Sequence, residues 1–174
     1  MEAIWSPTPE VLEQANVVRL MRRLGFADYR RLQQFSQDEP ERFWPAVIED
    51  LGLEFSRPWE RVVDLSRGPE WATWFVGGKL NLAWNCVHRW AQGPHAGVPA
   101  ALWEAEDGER HGLSYAELSA RVTRFAEALV QLGIGPGDRV AYFLPMSPEV
   151  SIVSHACAHI GAIQVPLFSG FAAP

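Results

Sequence analysis

The sequence predicts an α/β fold: a helical and irregular N-terminal region, then the first βαβαβ part of an incomplete sheet. Three observations predict it. Capped helical stripes fill the first fifty residues, and a Trp-, Gly- and Pro-rich stretch follows from Leu53 to about Pro99. After Ala100, short apolar runs bounded by breakers alternate with capped helical segments, the grammar of a parallel sheet. The expected organisation is therefore 1–52 helical, 53–99 an irregular wrap with a short helix, and 100–174 the start of a truncated α/β domain.

Taken in order, Thr8-Pro9-Glu10 is a helix start, with Thr8 as N-cap and Pro9 in the first turn. Val11, Leu12, Ala15, Val18 and Leu24 form a stripe that stops at Gly25. A short helix is expected from about Tyr29 to Phe35. Ser36 then opens SQDE, a capping-box pattern leading into PERFWPAVIEDLG, where Pro45 should kink or restart the helix. Arg19, Arg22 and Arg23 are read as a solvated helix face.

Trp59, Trp71, Trp74, Trp84 and Trp90 mark the irregular wrap, docking aromatics onto a neighbouring layer. ALWEAEDGERHGLSY alternates apolar and polar residues around Asp107-Gly108, which predicts a hairpin. Ser114 with Glu117 is a second capping box. In the helix behind it Tyr115, Leu118, Val122, Phe125, Ala126 and Leu129 form the apolar face, Glu117 and Arg121 form an i,i+4 pair, and Gly133 ends it. RVAYFL and AIQVPLF read as buried strands, separated by a helix with Ser147 as N-cap, Pro148 at its first position and Glu149 in its first turn.

The net charge of −6 disfavours a nucleic-acid surface, which needs an excess of Lys and Arg. Val150 to Pro174 lacks Asp, Glu, Lys and Arg, yet His155, His159, Gln164 and Pro166 make it too polar for a comfortable membrane span. No secretion signal is visible at the N-terminus. Cys86 and Cys157, among apolar neighbours, are read as reduced core residues of a cytoplasmic protein.

WFVGGKLNLAWNCVHRW, residues 74 to 90, concentrates the residue types that carry chemistry. Its Gly77-Gly78-Lys79 lacks the upstream glycine and the hydroxyl of GxxxxGK[ST], so a glycine turn that lets Asn81 cap a short helix through Trp90 is the better reading. Lys79 is the chain's single lysine against fourteen arginines. Cys86 and His88 point about 200° apart on a helix and share no metal. His155 and His159 share a helix face at i,i+4 spacing, the start of a zinc site without a clear third ligand. One of the two should pack and the other meet solvent or a carbonyl.

In order along the chain, SQDEPERFW, PWERVVDLS, WFVGGKLNLAWNC, LSYAEL, GIGPGDRVAYFLPMSPE and HACAHIGAIQVPLFSGF resemble the N-terminal region of AMP-forming acetyl-CoA synthetase-like enzymes, in the acyl-CoA synthetase and luciferase superfamily of adenylate-forming enzymes. The resemblance covers roughly residues 36 to 171. It departs from the family at His88, where Asp is usual, at Trp90, where His is frequent, and at His159, where Arg is common. Pro45 is also foreign to the family's opening helix.

The resemblance implies an acid–thiol ligase that converts a carboxylate and ATP, with Mg2+, to an acyl-adenylate and passes the acyl group to CoA. The family's nucleotide motifs, hinge and catalytic lysine lie beyond Pro174. The resemblance thus implies no catalytic residue and no bound metal in this chain, with Lys79 at a structural position. It places Phe168, Ser169 and Gly170 at the edge of the CoA pocket. The expected partners are the remainder of the polypeptide, a small, short-chain carboxylic acid, ATP and CoA, with no nucleic acid and no membrane. A non-catalytic interaction module or gene remnant is the competing reading, and a zinc-binding domain through His155 and His159 a third.

Overall fold

The computed structural model describes residues 5–168 and 170. The chain forms two compact units, Met1–Lys79 and Leu80–Pro174.

In the first unit, α1 (Pro9–Gln14) and α2 (Asn16–Leu24) are separate helices, because Ala15 turns extended between them. Thr8 caps α1 through the Val11 N–H. Gly25 ends α2 in the left-handed region, where a Cβ is costly. Next come α3 (Tyr29–Asp38) and α4 (Pro40–Asp50). The expected cap at Ser36 is not formed: Ser36 lies within α3 and its hydroxyl donates to the Gln33 carbonyl. Pro40 marks the boundary instead, since a proline at the first helical position lacks only an N–H that would be unpaired there. Helix α4 does not restart at Pro45.

The arginines of α2 are more than a solvated face. Arg19 donates to both carboxylate oxygens of Asp50, at 3.3 and 2.8 Å, and Arg23 pairs with Glu49 and Asp50, joining α2 to the end of α4. An aromatic series runs alongside: Phe26 against Phe35, Phe35 against Phe43, Phe43 against Trp44, and Trp44 against Trp74. The wrap is also less irregular than its composition predicts. Strands β1 (Arg61–Asp64) and β2 (Thr73–Val76) pair antiparallel around a 3-10 turn at Pro69–Trp71. Their four-residue length leaves too short an alternation to stand out in sequence.

The second unit begins with a single π-helical turn at Trp84–His88, closed by the Arg89 N–H on the Trp84 carbonyl. Strands β3 (Pro99–Glu104) and β4 (Arg110–Ser114) form the predicted hairpin, with Gly108 left-handed in its turn. Ser114 and Glu117 complete the capping box of α5 (Tyr115–Gln131). The Glu117 carboxylate accepts from the Ser114 N–H and hydroxyl, so Arg121 acts on it only at longer range.

Beyond α5, β5 (Arg139–Phe143) and β6 (Ile163–Leu167) pair parallel, Arg139 opposite Ile163 and Phe143 opposite Leu167, with α6 (Pro148–Ile160) connecting them. The strand before α5 stays in the hairpin and does not join this pair.

The core of this unit comprises Val87, Leu113, Leu118, Val122, Ala126, Leu129, Ile152, Val153, Ala156 and Cys157. It lies between α5, α6, the π turn and the hairpin. Leu118, Val122, Ala126 and Leu129 recur at helical spacing, as predicted, while Phe125 sits on the rim. The parallel strands are not buried as expected: every residue of β6 is exposed. A two-stranded sheet covers itself only through α6, and its other face and outer edge meet no further layer within the described residues.

Candidate functional site

The parallel register brings the carboxyl ends of β5 and β6 side by side. In open α/β sheets, ligands bind just beyond such ends. Three segments meet there: the turn after Phe143, the start of α6, and the residues after Leu167. Phe143, Met146 and Phe168 are 58%, 90% and 68% exposed, an apolar lip of three large side chains. Phe168 follows β6 directly, and Gly170 lies against its ring: a Cβ at 170 would come within 2.6 Å of the Phe168 ring edge. Ser169 lies outside the described residues.

The first turn of α6 is already occupied by a negative group. Ser147 has the extended backbone of an N-cap, but its hydroxyl donates to Glu149 at 2.6 Å instead of accepting from the helix. That bond and the Glu149 backbone bond hold the Glu149 carboxyl below its ordinary range, helped by Arg121. A carboxylate charged there answers the helix dipole and repels an external phosphate. This end of the sheet thus offers apolar and aromatic contact rather than a phosphate cradle.

The glycines before Lys79 have a packing explanation. Gly77 is left-handed, and a Cβ on Gly78 would come within 2.9 Å of the Phe75 carbonyl and 3.1 Å of the Phe55 ring. Phe55, Trp59 and Phe75 stack edge to tilted face around this turn, and Phe75 itself is held at φ 49°. The backbone of Lys79 exchanges two hydrogen bonds with Arg57, whose guanidinium also donates to the Gly77 carbonyl. The amides a phosphate would need at Gly78 and Lys79 are committed to Phe75 and Arg57.

Asn81 caps the π turn as expected, its side-chain oxygen accepting from the Trp84 N–H at 3.1 Å. The helix it starts is shorter than predicted, because the π turn ends at His88. Cys86 is exposed, a correction to its reading as a core residue, while Cys157 is buried and burial pushes its thiol up.

The π winding carries His88 inward, where 8% of its surface remains exposed. Its Nδ1 is 2.8 Å from the Ser119 hydroxyl and its Nε2 is 3.1 Å from Nδ1 of His159. His155 is not the partner of His159: its Nδ1 donates to the Ser151 carbonyl at 2.7 Å. Among the described residues, no group of three or more His, Cys, Asp or Glu is arranged to hold a metal ion. The contact between His88 and His159 is not legible from spacing: the sequence pairs His159 with His155 and sets His88 beside Cys86, and 71 residues separate the two rings that meet.

Comparison with known proteins agrees with this architecture. Residues 87–174, half of the chain, match the AMP-binding enzyme family, and the chain belongs to that family. Residues 29–86 match the acetyl-coenzyme A synthetase N-terminus. The chain is 42% identical to acetyl-coenzyme A synthetase of Deinococcus radiodurans over 149 residues, which are 86% of this chain and 22% of that protein. It is 38% identical to 3-hydroxypropionyl-coenzyme A synthetase of Metallosphaera sedula over 143 residues, 82% of this chain and 21% of that protein. Acetoacetyl-CoA synthetase from Streptomyces lividans superposes with a TM-score of 0.88 at 30% identity, covering 98% of this chain and 27% of that one. The chain therefore spans between about a fifth and just over a quarter of the length of these relatives.

Proposed function

We propose that this chain is the N-terminal portion of an AMP-forming acyl-CoA synthetase that activates a short-chain carboxylate with ATP and passes the acyl group to CoA. The observation that carries this reading is the match of nearly the whole chain to about a quarter of a solved acyl-CoA synthetase. The short acyl groups in the names of the three relatives, acetyl, 3-hydroxypropionyl and acetoacetyl, support a short-chain acid.

By itself the chain is inert. Acyl transfer through an adenylate needs dense positive charge around a phosphoryl centre. The chain matches 22% and 27% of the lengths of two such synthetases, and we assign the groups that supply this charge to the part of those proteins that it does not match. Its role is architectural, supplying an apolar edge at Phe168 and Gly170 that borders the CoA pocket once the remaining sheet is present. The exposed face of β6 fits that role, because it needs a covering layer to be stable in water.

Among the described residues no helix is long and apolar enough to cross a membrane; the cytoplasmic location we propose is supported by the two free cysteines. The test is carboxylate-dependent exchange of pyrophosphate into ATP by the purified chain. No exchange is expected, and measurable exchange would overturn the inert reading. Fusing the chain to the missing part of a relative should restore acyl-CoA formation from short acids.

A further inference from the structure

Three separate elements meet at one imidazole. His88 comes from the π turn, Ser119 from the second turn of α5 and His159 from the end of α6. The two rings stand edge to face with centroids 4.8 Å apart. Together with Trp84, Gln92 and Thr123 they line an open pocket of about 470 Å3, so water and protons reach the pair from one side.

The hydrogen-bond chain sets how many protons this contact can hold. With both rings neutral, one ring nitrogen donates to the other and Ser119 completes the chain in the matching sense. One added proton is also accommodated: whichever ring carries it, an N–H of that ring donates to the lone pair left on the other at the shared contact. A second proton leaves N–H facing N–H at 3.1 Å, which is repulsion with no bond.

The surrounding charges reinforce that limit. His155 lies one turn back on α6, and Arg89 follows His88 on its own strand of chain. Glu127 of α5 lines the adjoining pocket with His159, but among the described residues no ion pair joins them, the one histidine–carboxylate pair being His111 with Glu109. Gln92, Ser119 and Thr123 are neutral.

We propose that the Ser119–His88–His159 chain is an acid-releasable tie between the π turn and α6, closed while the two rings share at most one proton and open when both are charged. Burial, then the charges of His159 and His155, hold the His88 imidazole below its ordinary value of 6.5. Between 6.5 and that lowered value the unfolded chain binds the extra proton and the folded chain does not. Stability is therefore full above 6.5 and falls as pH drops to the folded midpoint. The Asn81 side chain, donating to the His159 carbonyl at 2.9 Å, survives protonation of the rings and keeps the release local.

Imidazole nitrogen resonances followed by NMR from pH 8 to pH 5 test this, with the Trp90 indole N–H, which donates to the Asn85 carbonyl, as reporter of the turn. His88 should titrate below 6.5, and the Trp90 resonance should move with the same midpoint. In His159→Gln the His88 midpoint should rise and the acid-linked movement of Trp90 disappear, since a glutamine oxygen accepts from charged His88. An unchanged midpoint and movement in that variant would overturn the proposal. If the variant does not fold, the unsubstituted protein decides: a Trp90 resonance that stays still through the His88 midpoint overturns it too.

Discussion

The side-chain amide of Asn81 joins two segments 78 residues apart, donating to the His159 carbonyl at 2.9 Å while its oxygen caps the π turn at Trp84. One residue thus both starts the turn and fastens it to the end of α6. Asn81→Ala should cost about 1 kcal/mol for the cap and roughly another for the second bond. Asn81→Asp keeps the cap but faces the carbonyl with an anion, so it should lose only the second part or somewhat more. Urea denaturation of the three proteins checks the order.

Leu118 and Phe125 lie on the same helix, but only Leu118 belongs to the core. Leu118→Ala should cost about 2–5 kcal/mol, since neighbours from α6 and the hairpin cannot all collapse into the space. Phe125→Ala should cost clearly less in the same assay. Equal losses would place the rim inside the core.

The bidentate contact of Arg19 holds the Asp50 carboxyl below its ordinary value of 3.8, with Arg23 adding to it. A lowered folded value means that the stabilisation is present above 3.8 and is lost as pH falls through the lower value. Asp50→Asn should flatten that acid limb of the stability profile. Added salt should weaken the contact, because both arginines are substantially exposed.

The two thiols should separate by access. A disulfide reagent should titrate Cys86 alone in the native protein and both cysteines in urea, because the thiolate is the reactive form and Cys157 is buried with its thiol pushed up. Two rapid native equivalents would contradict the packing of α6.

Gly170 is the test of the site's edge. Alanine at this position forces the Phe168 ring away, since its Cβ would come within 2.6 Å. In an active fusion carrying this segment, Gly170→Ala should raise the KM for CoA and leave carboxylate-dependent pyrophosphate exchange nearly unchanged. A loss of exchange alone would overturn the proposal that these residues border a CoA pocket.

Much of the second unit was legible before any coordinates, for a definable reason. The Ser114–Glu117 box, the Asp107-Gly108 turn and the Leu118, Val122, Ala126 and Leu129 positions of α5 are set within a few residues of chain, so there pattern and outcome coincide. Where two local signals competed, the steric one prevailed: Pro40 set the start of α4, and the hydroxyl of Ser36 bonded back into α3. The strands β1 and β2 went unseen because four residues carry little periodicity.

By itself, the sequence determined the fold class, the helix starts with N-caps at Thr8, Ser114 and Ser147, and, through ordered motifs, the family. Tertiary structure alone decided which distant groups meet. Arg19 finds Asp50 across 31 residues and His88 finds His159 across 71, and neither spacing is periodic. It also decided that Cys86 faces outward and that β6 lies uncovered, because exposure depends on the layers that pack around a residue rather than on its neighbours in the chain.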